Sequence, residues 1–202
     1  VTTTITGHGI TLRLQEGEPT RRCGDCQLCC KLLPVRSLDK GAGERCKHQR
    51  HHKGCAVYLK PGFPPECGAW NCRWLVGDDT ADLSRPDRSH YVIDVMPDFV
   101  TLRNNETGQA NHVEVVQIWV DPGYRDAHRD PALRAFLERR GKENKVSIVR
   151  WDNEDAMVIF PPALSENRQW NEVKTNFRAK EHSIDEVVAA LGGALPTGQA
   201  VA

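Results

Sequence analysis

The chain has 202 residues, enough for one large domain or two small ones, and its 39% hydrophobic content excludes a disordered polymer. Its 27 Lys and Arg balance 27 Asp and Glu, so net charge gives no reason to expect nucleic acid or acidic lipid as a partner. No apolar run approaches the ~20 residues that span a bilayer, and the opening Val-Thr-Thr-Thr-Ile-Thr lacks the basic start and apolar centre of an export signal. A cytoplasmic chain without a membrane partner is expected.

In chain order, residues 2–6 and 9–14 alternate apolar and polar around Gly7-His8-Gly9, which predicts a hairpin within an N-terminal segment 1–20. Residues 21–76 hold every cysteine and much of the Gly and Pro, the composition of a loop-rich module. Residues 77–194 contain no cysteine and read as an ordinary α+β unit. Its expected strands are 90–95, 99–103, 112–120, 145–151 and 156–160, with turn chemistry at Met96-Pro97-Asp98 and Asp152-Asn153-Glu154-Asp155. One helix should start at the Asp130 cap and Pro131, bury Leu133, Phe136 and Leu137, and stop at Gly141. A second should start at Ser183, where Glu186 completes a capping box, and run to Gly192-Gly193. Residues 195–202 read as a flexible tail.

The chemistry concentrates in eight cysteines: Cys23, Cys26, Cys29, Cys30, Cys46, Cys55, Cys67 and Cys72. The first four form C-x-x-C-x-x-C-C. Two-residue spacing lets a short loop fold back so that both sulfurs reach one ion at about 2.3 Å, and Gly24 eases that turn. The triple spacing matches the way ferredoxins hold three corners of an iron–sulfur cube. Adjacent side chains diverge in extended backbone, so Cys29 and Cys30 point to two neighbouring centres, or to one centre and a spare thiol. Charge agrees: residues 21–62 carry ten Lys or Arg against three acids, which would offset two centres of charge −2 and lower the thiol pKa values. A disulfide framework is the competing reading of an even cysteine count, but it needs an oxidising compartment.

Cys23-x-x-Cys26-x-x-Cys29-Cys30, then Cys46, Gly54-Cys55-x-x-Tyr58, Pro65-x-Cys67 and Trp70-x-Cys72 together resemble the YkgJ-type cysteine-cluster family, the zinc- or iron-chelating CxxCxxCC family. All eight cysteines match its pattern in order, over residues 21–76. Members usually carry Arg-Pro soon after the tyrosine, where this chain has Lys60-Pro61-Gly62-Phe63-Pro64-Pro65. The resemblance implies a cysteine-ligated metal or iron–sulfur centre. One related group couples such a cluster to protein lysine methylation, but no glycine-rich cofactor loop accompanies it here.

Zinc and a [4Fe–4S] cluster both remain open as the cofactor. Iron suits the triple spacing, whereas zinc tolerates any spacing that closes a tetrahedron. His48, His51 and His52 read as an exposed polar loop, with His48 the first substitute should one thiol be spare. Tyr58, Phe63, Trp70 and Trp74 read as an apolar cover that keeps water from the metal. Asp94, His112 and His128 are scattered and default to surface roles. No G-x-S-x-G, H-E-x-x-H or P-loop pattern is present.

The expected fold is therefore α+β: a loop-rich, metal-bound cysteine module packed on a small antiparallel sheet with two helices. The expected function is a metal-binding protein with one or two cysteine-ligated centres in a structural or redox role, with a protein or small-molecule partner. An iron–sulfur enzyme or electron-transfer protein is the alternative. A zinc nucleic-acid module is disfavoured because C₂H₂ spacing is missing.

Overall fold

The computed structural model describes residues 2–7, 10–15, 21–95, 98–103, 106–175 and 189–190. The expected N-terminal hairpin is present, with β1 (Thr2–Gly7) antiparallel to β2 (Ile10–Gln15) and Thr2 opposite Gln15. Residues 189–190 are helical; the remainder of the helix expected from Ser183, and the tail 195–202, lie outside the described residues.

The cysteine module has little regular structure. It contains α1 (Leu28–Leu32), β3 (Gln49–Arg50), β4 (Gly54–Cys55), α2 (Pro65–Ala69) and α3 (Arg73–Val76). After α4 (Pro86–Ser89) come β5 (Tyr91–Ile93), β6 (Asp98–Arg103) and β7 (Ala110–Val120). Then follow α5 (Pro131–Lys142), β8 (Val146–Arg150), β9 (Ala156–Phe160) and β10 (Asn171–Thr175). The main sheet runs β10-β9-β8-β7-β5, and β6 also pairs with β7.

The fold class is α+β as expected, but the main sheet is mixed rather than antiparallel, because β7 and β8 are parallel. A long connection explains this. Residues 121–145, including α5, carry the chain back across the sheet, which a tight hairpin cannot do. β10 was not foreseen: Asn171-Glu172-Val173-Lys174-Thr175 has one strongly apolar residue, half-exposed Val173, and draws its stability from pairing with β9.

Alternation along the strands divides the sheet into two faces. One carries Tyr91, Ile93, Val116, Ile118, Val120, Val149, Met157 and Ile159 and packs on Leu133, Phe136 and Leu137 of α5. Burying each such side chain stabilises by about 1.5–3 kcal/mol. The other face carries Val92 and Trp119, which pack against Leu28, Leu32 and Cys72 of the cysteine module. The module is thus seated on the sheet through a shared apolar cluster.

Asp130 caps α5 as expected, its carboxylate accepting from the Ala132 N–H at 3.1 Å. Gly141 does not stop the helix. It lies inside α5, and its missing side chain admits Pro161: an added Cβ would stand 2.3 Å from the Pro161 Cγ. The chain leaves the helix through Glu143 and Asn144, the latter at φ 61°. The proline ring cannot swing aside, so Gly141→Ala should destabilise by about 1–2 kcal/mol despite alanine's better helix propensity. A urea denaturation midpoint equal to or above that of the parent would contradict this close packing.

Candidate metal centre

The module begins with a tight turn. Gly24 at φ 55° lets the Cys26 N–H donate to the Cys23 carbonyl at 2.9 Å, which folds the first C-x-x-C back on itself. Buried Gln27 fixes this knuckle to the β3–β4 hairpin. Its amide donates to the carbonyls of Arg50 and Gly54, and its oxygen accepts from Gln49 Nε2 at 2.8 Å. The hairpin carries Cys55, and the Cys46 N–H donates to the Cys30 carbonyl at 3.1 Å. Later in the chain Cys72 pairs with Asp94 in an antiparallel bridge, which carries it from the module onto the edge of the sheet beside β5. Cysteines distant in sequence are brought to one region by these contacts.

All eight cysteines are free thiols. They fall into two neighbourhoods. Cys72 lies within electrostatic reach of Cys23 and Cys26, and Cys29 within reach of Cys23 and Cys72. Cys67 lies within reach of Cys30, Cys46 and Cys55. The neighbourhoods touch where Cys29 and Cys30 follow each other on α1 and where Cys23 senses Cys30. The two residues lie on a helix and not on extended backbone, and side chains one apart on a helix do not face each other either. The two thiols are coupled, which raises the Cys29 pKa and lowers that of Cys30. Among the described residues no three His, Cys, Asp or Glu side chains converge as a group that could hold a metal. The thiols are neighbours and are not drawn into a tetrahedron.

Burial opposes ionisation of most of them. It pushes Cys72 up to about 12 and Cys67 up to about 11, and raises Cys23 and Cys26. Neutral burial of this kind keeps the thiols protonated until a cation takes the proton's place. Each neighbourhood also has a fixed positive charge. Arg85, held by Asp87 at 2.7 Å and Asp25 at 2.8 Å, favours the thiolates of Cys23 and Cys26. Buried Lys40 donates to the carbonyls of Leu33, Lys31 and Gly41, and faces Cys46, Cys30 and Cys67. Desolvation lowers the Lys40 pKa, and those thiols act to raise it. Lys40 is one of the ten basic residues counted over 21–62, whereas Arg85 lies outside that segment and was not singled out.

The aromatic cover is partly as expected. Trp70 donates from Nε1 to Asp94 at 2.7 Å and Trp74 to the Leu83 carbonyl at 3.1 Å, and both pack beside Cys72. Tyr58 departs from the expectation: it is 53% exposed and meets Phe63 edge-on at 5.3 Å. His51 and His52 are exposed, as a polar loop would be, and half-buried His48 gives its backbone N–H to Cys46 Sγ at 3.4 Å. His112 is on the surface, but His128 is not. It is buried against Trp151 with Nδ1 2.8 Å from the Arg125 carbonyl, and desolvation lowers its pKa. Asp94 is likewise structural, as the acceptor for Trp70.

No protein-family model, curated protein or solved structure matches the chain. Among the described residues no helix is long and apolar enough to cross a membrane.

Proposed function

We propose that the chain is a metal-binding protein that holds two cysteine-ligated centres, one on Cys23, Cys26, Cys29 and Cys72 and the other on Cys30, Cys46, Cys55 and Cys67. The observation that carries the reading is that backbone hydrogen bonds, the β3–β4 hairpin and the Cys72–Asp94 bridge bring eight free thiols into one region of the fold, with Lys40 and Arg85 beside them. Four thiolates are a complete set for either zinc or a [4Fe–4S] cluster. The role is structural first: a segment with few strands and only short helices gains its order from the ions that cross-link it. The same reading places the chain with the YkgJ-type family and in a reducing compartment such as the cytoplasm, where free thiols persist.

A redox or electron-transfer role is the second reading. It is favoured by Cys23 and Cys67, whose residues reach the surface although their thiols are part-buried. Protein purified without oxygen discriminates between the metals. Colourless protein with about two zinc per chain supports structural centres, and brown protein with about eight iron supports paired clusters. The grouping has its own test. Cys26→Ser should lose about half of the metal, Cys26→Ser with Cys23→Ser no more than that, and Cys26→Ser with Cys55→Ser nearly all of it. Metal loss that does not follow these sets would break the assignment of the ligands.

A further inference from the structure

Residues 122–129, between β7 and α5, bury one side chain, His128. Residues 122–126 and 129 are exposed and Ala127 is half-buried, whereas His128 is 4% exposed. The helical turns of the segment are broken at Tyr124, with φ −135° and ψ 55°. A stretch with so little buried surface belongs to the low end of local stability. Its front end has an anchor of its own: the Asp121 carboxylate accepts from the Gly123 N–H, and the Tyr124 ring stacks on His90 at 3.5 Å. At its back end the anchor is His128.

The hydrogen bonds fix where the imidazole carries its proton. Nδ1 stands 2.8 Å from the Arg125 carbonyl, which can only accept, so Nδ1 is the protonated nitrogen. The same carbonyl accepts from Trp151 Nε1 at 3.1 Å, and the two rings meet edge-on at 5.4 Å. Nε2 is then the bare nitrogen, buried with no partner among the described residues. A second proton has to go there. It would create a buried cation whose new N–H meets no acceptor, which is costly.

The charged groups around the ring do not offset that cost. α5 brings Arg134, whose Nε donates to the His128 carbonyl at 3.1 Å, and the segment itself brings Arg125 and Arg129. β10 brings one carboxylate, Glu172, which already pairs with both Arg134 and Arg129. Asp155 is taken by Arg125 and Asp126 by Arg129, and Asp130 accepts from the Tyr91 hydroxyl at 2.9 Å. Desolvation, then Arg134 and Arg129, push the His128 pKa down against the pull of the Arg125 carbonyl and Glu172.

We infer that His128 is a proton-operated latch: neutral, it seats residues 122–129 over Trp151, and protonated, it releases them while the sheet and α5 stay folded. The sign follows from linkage. A freed imidazole takes the proton more readily than the buried one, so the open form gains as pH falls below the ordinary histidine value of about 6.5. Carboxylates titrate some two units lower, at about pH 4, so release precedes acid unfolding. Opening uncovers the Trp151 indole, 5% exposed in the closed form, and removes its acceptor. The inference stands apart from the metal reading, because Trp151 belongs to the core formed with α5 and not to the cluster beneath the cysteine module.

The test is hydrogen exchange of the Trp151 indole in the full chain, as purified and ¹⁵N-labelled at tryptophan, from about pH 7.5 to about pH 5.5. Trp151→Phe identifies the signal. Protection, taken relative to the intrinsic indole rate at each pH, should fall by about tenfold or more in the parent. It should hold steady in His128→Leu, which stays buried, cannot take the proton and keeps every other histidine. The far-ultraviolet circular dichroism of the parent should not change over that range. Should His128→Leu fail to fold, His90→Gln decides: protection should fall in it as in the parent. No fall in the parent, an equal fall in His128→Leu, a fall that accompanies loss of the sheet signal, or steady protection in His90→Gln would each overturn the latch.

Discussion

On the two-centre proposal, Cys72→Ser is expected to cost one of the two proposed centres and several kcal/mol of stability, an effect on the order of a lost metal ligand rather than a lost packing contact. Serine is nearly isosteric with cysteine, so the apolar cluster of Leu28, Leu32, Val92 and Trp119 around position 72 loses little volume. What changes is the donor. Burial has pushed the Cys72 thiol up to about 12, so its sulfur becomes a thiolate at neutral pH only when a metal takes the proton's place. The N–H groups of Trp74 and Leu75 at the start of α3 face that sulfur and favour the charge. A serine hydroxyl is far less acidic and will not follow. Metal content should fall by about half, and the melting temperature should fall with it. In the presence of a strong chelator the parent and the variant should melt within about 1 kcal/mol of each other, since neither then holds the ion. A variant with full metal content and parental melting would show that Cys72 is a core thiol and nothing more.

Much of the sheet was readable from runs of strand-forming residues bounded by turn chemistry. Strands expected at 99–103, 112–120, 145–151 and 156–160 differ from β6, β7, β8 and β9 by at most two residues at either end. β8 and β9 are buried on both faces, whereas β6 buries Val100 and leaves Leu102 39% exposed. The structure departs from the sequence reading where the cause is not local. The parallel pairing of β7 with β8 depends on a connection crossing the sheet. β10 has too few apolar residues to announce itself, and Gly141 was taken as a helix stop because proximity to Pro161 leaves no trace in the neighbouring sequence. His128 was assigned to the surface for the same reason: Asp126, Arg129 and Asp130 surround it in sequence, whereas Trp151 covers it in space.

The candidate site divides in the same way. The identity of the eight cysteines is plain in their spacing, and the turn at Gly24 follows from the residue type. Their grouping is not, because Cys72 joins Cys23, Cys26 and Cys29 only through the bridge to Asp94. Lys40 was one among many basic residues until the fold buried it.

Lys31→Met should destabilise the protein by about 2–4 kcal/mol at neutral pH, because it strands a buried carboxylate. Lys31 follows Cys30 on α1, and its ammonium meets both oxygens of Asp121 at 2.6 and 2.8 Å. Asp121 directly follows β7 with its side chain 7% exposed, and the Gly123 N–H adds a third hydrogen bond at 2.9 Å. Burial works against the Asp121 charge. Lys31 and Gly123 outweigh it and hold the carboxyl below its usual range. A carboxyl lowered by folding contributes stability above its unfolded pKa of about 4 and loses that contribution as pH falls through the lower folded value. Without Lys31, burial dominates and the folded pKa rises, so the variant gains relative stability as acid protonates Asp121. The deficit between variant and parent should therefore be widest near pH 7 and narrow below about pH 4. Adding Asp121→Leu to Lys31→Met removes the stranded charge and should recover at least half of the loss at pH 7. Urea denaturation across pH measures all three proteins. A deficit under about 0.5 kcal/mol, or one that does not change with pH, would mean that this pair does not fasten the cysteine module to the sheet.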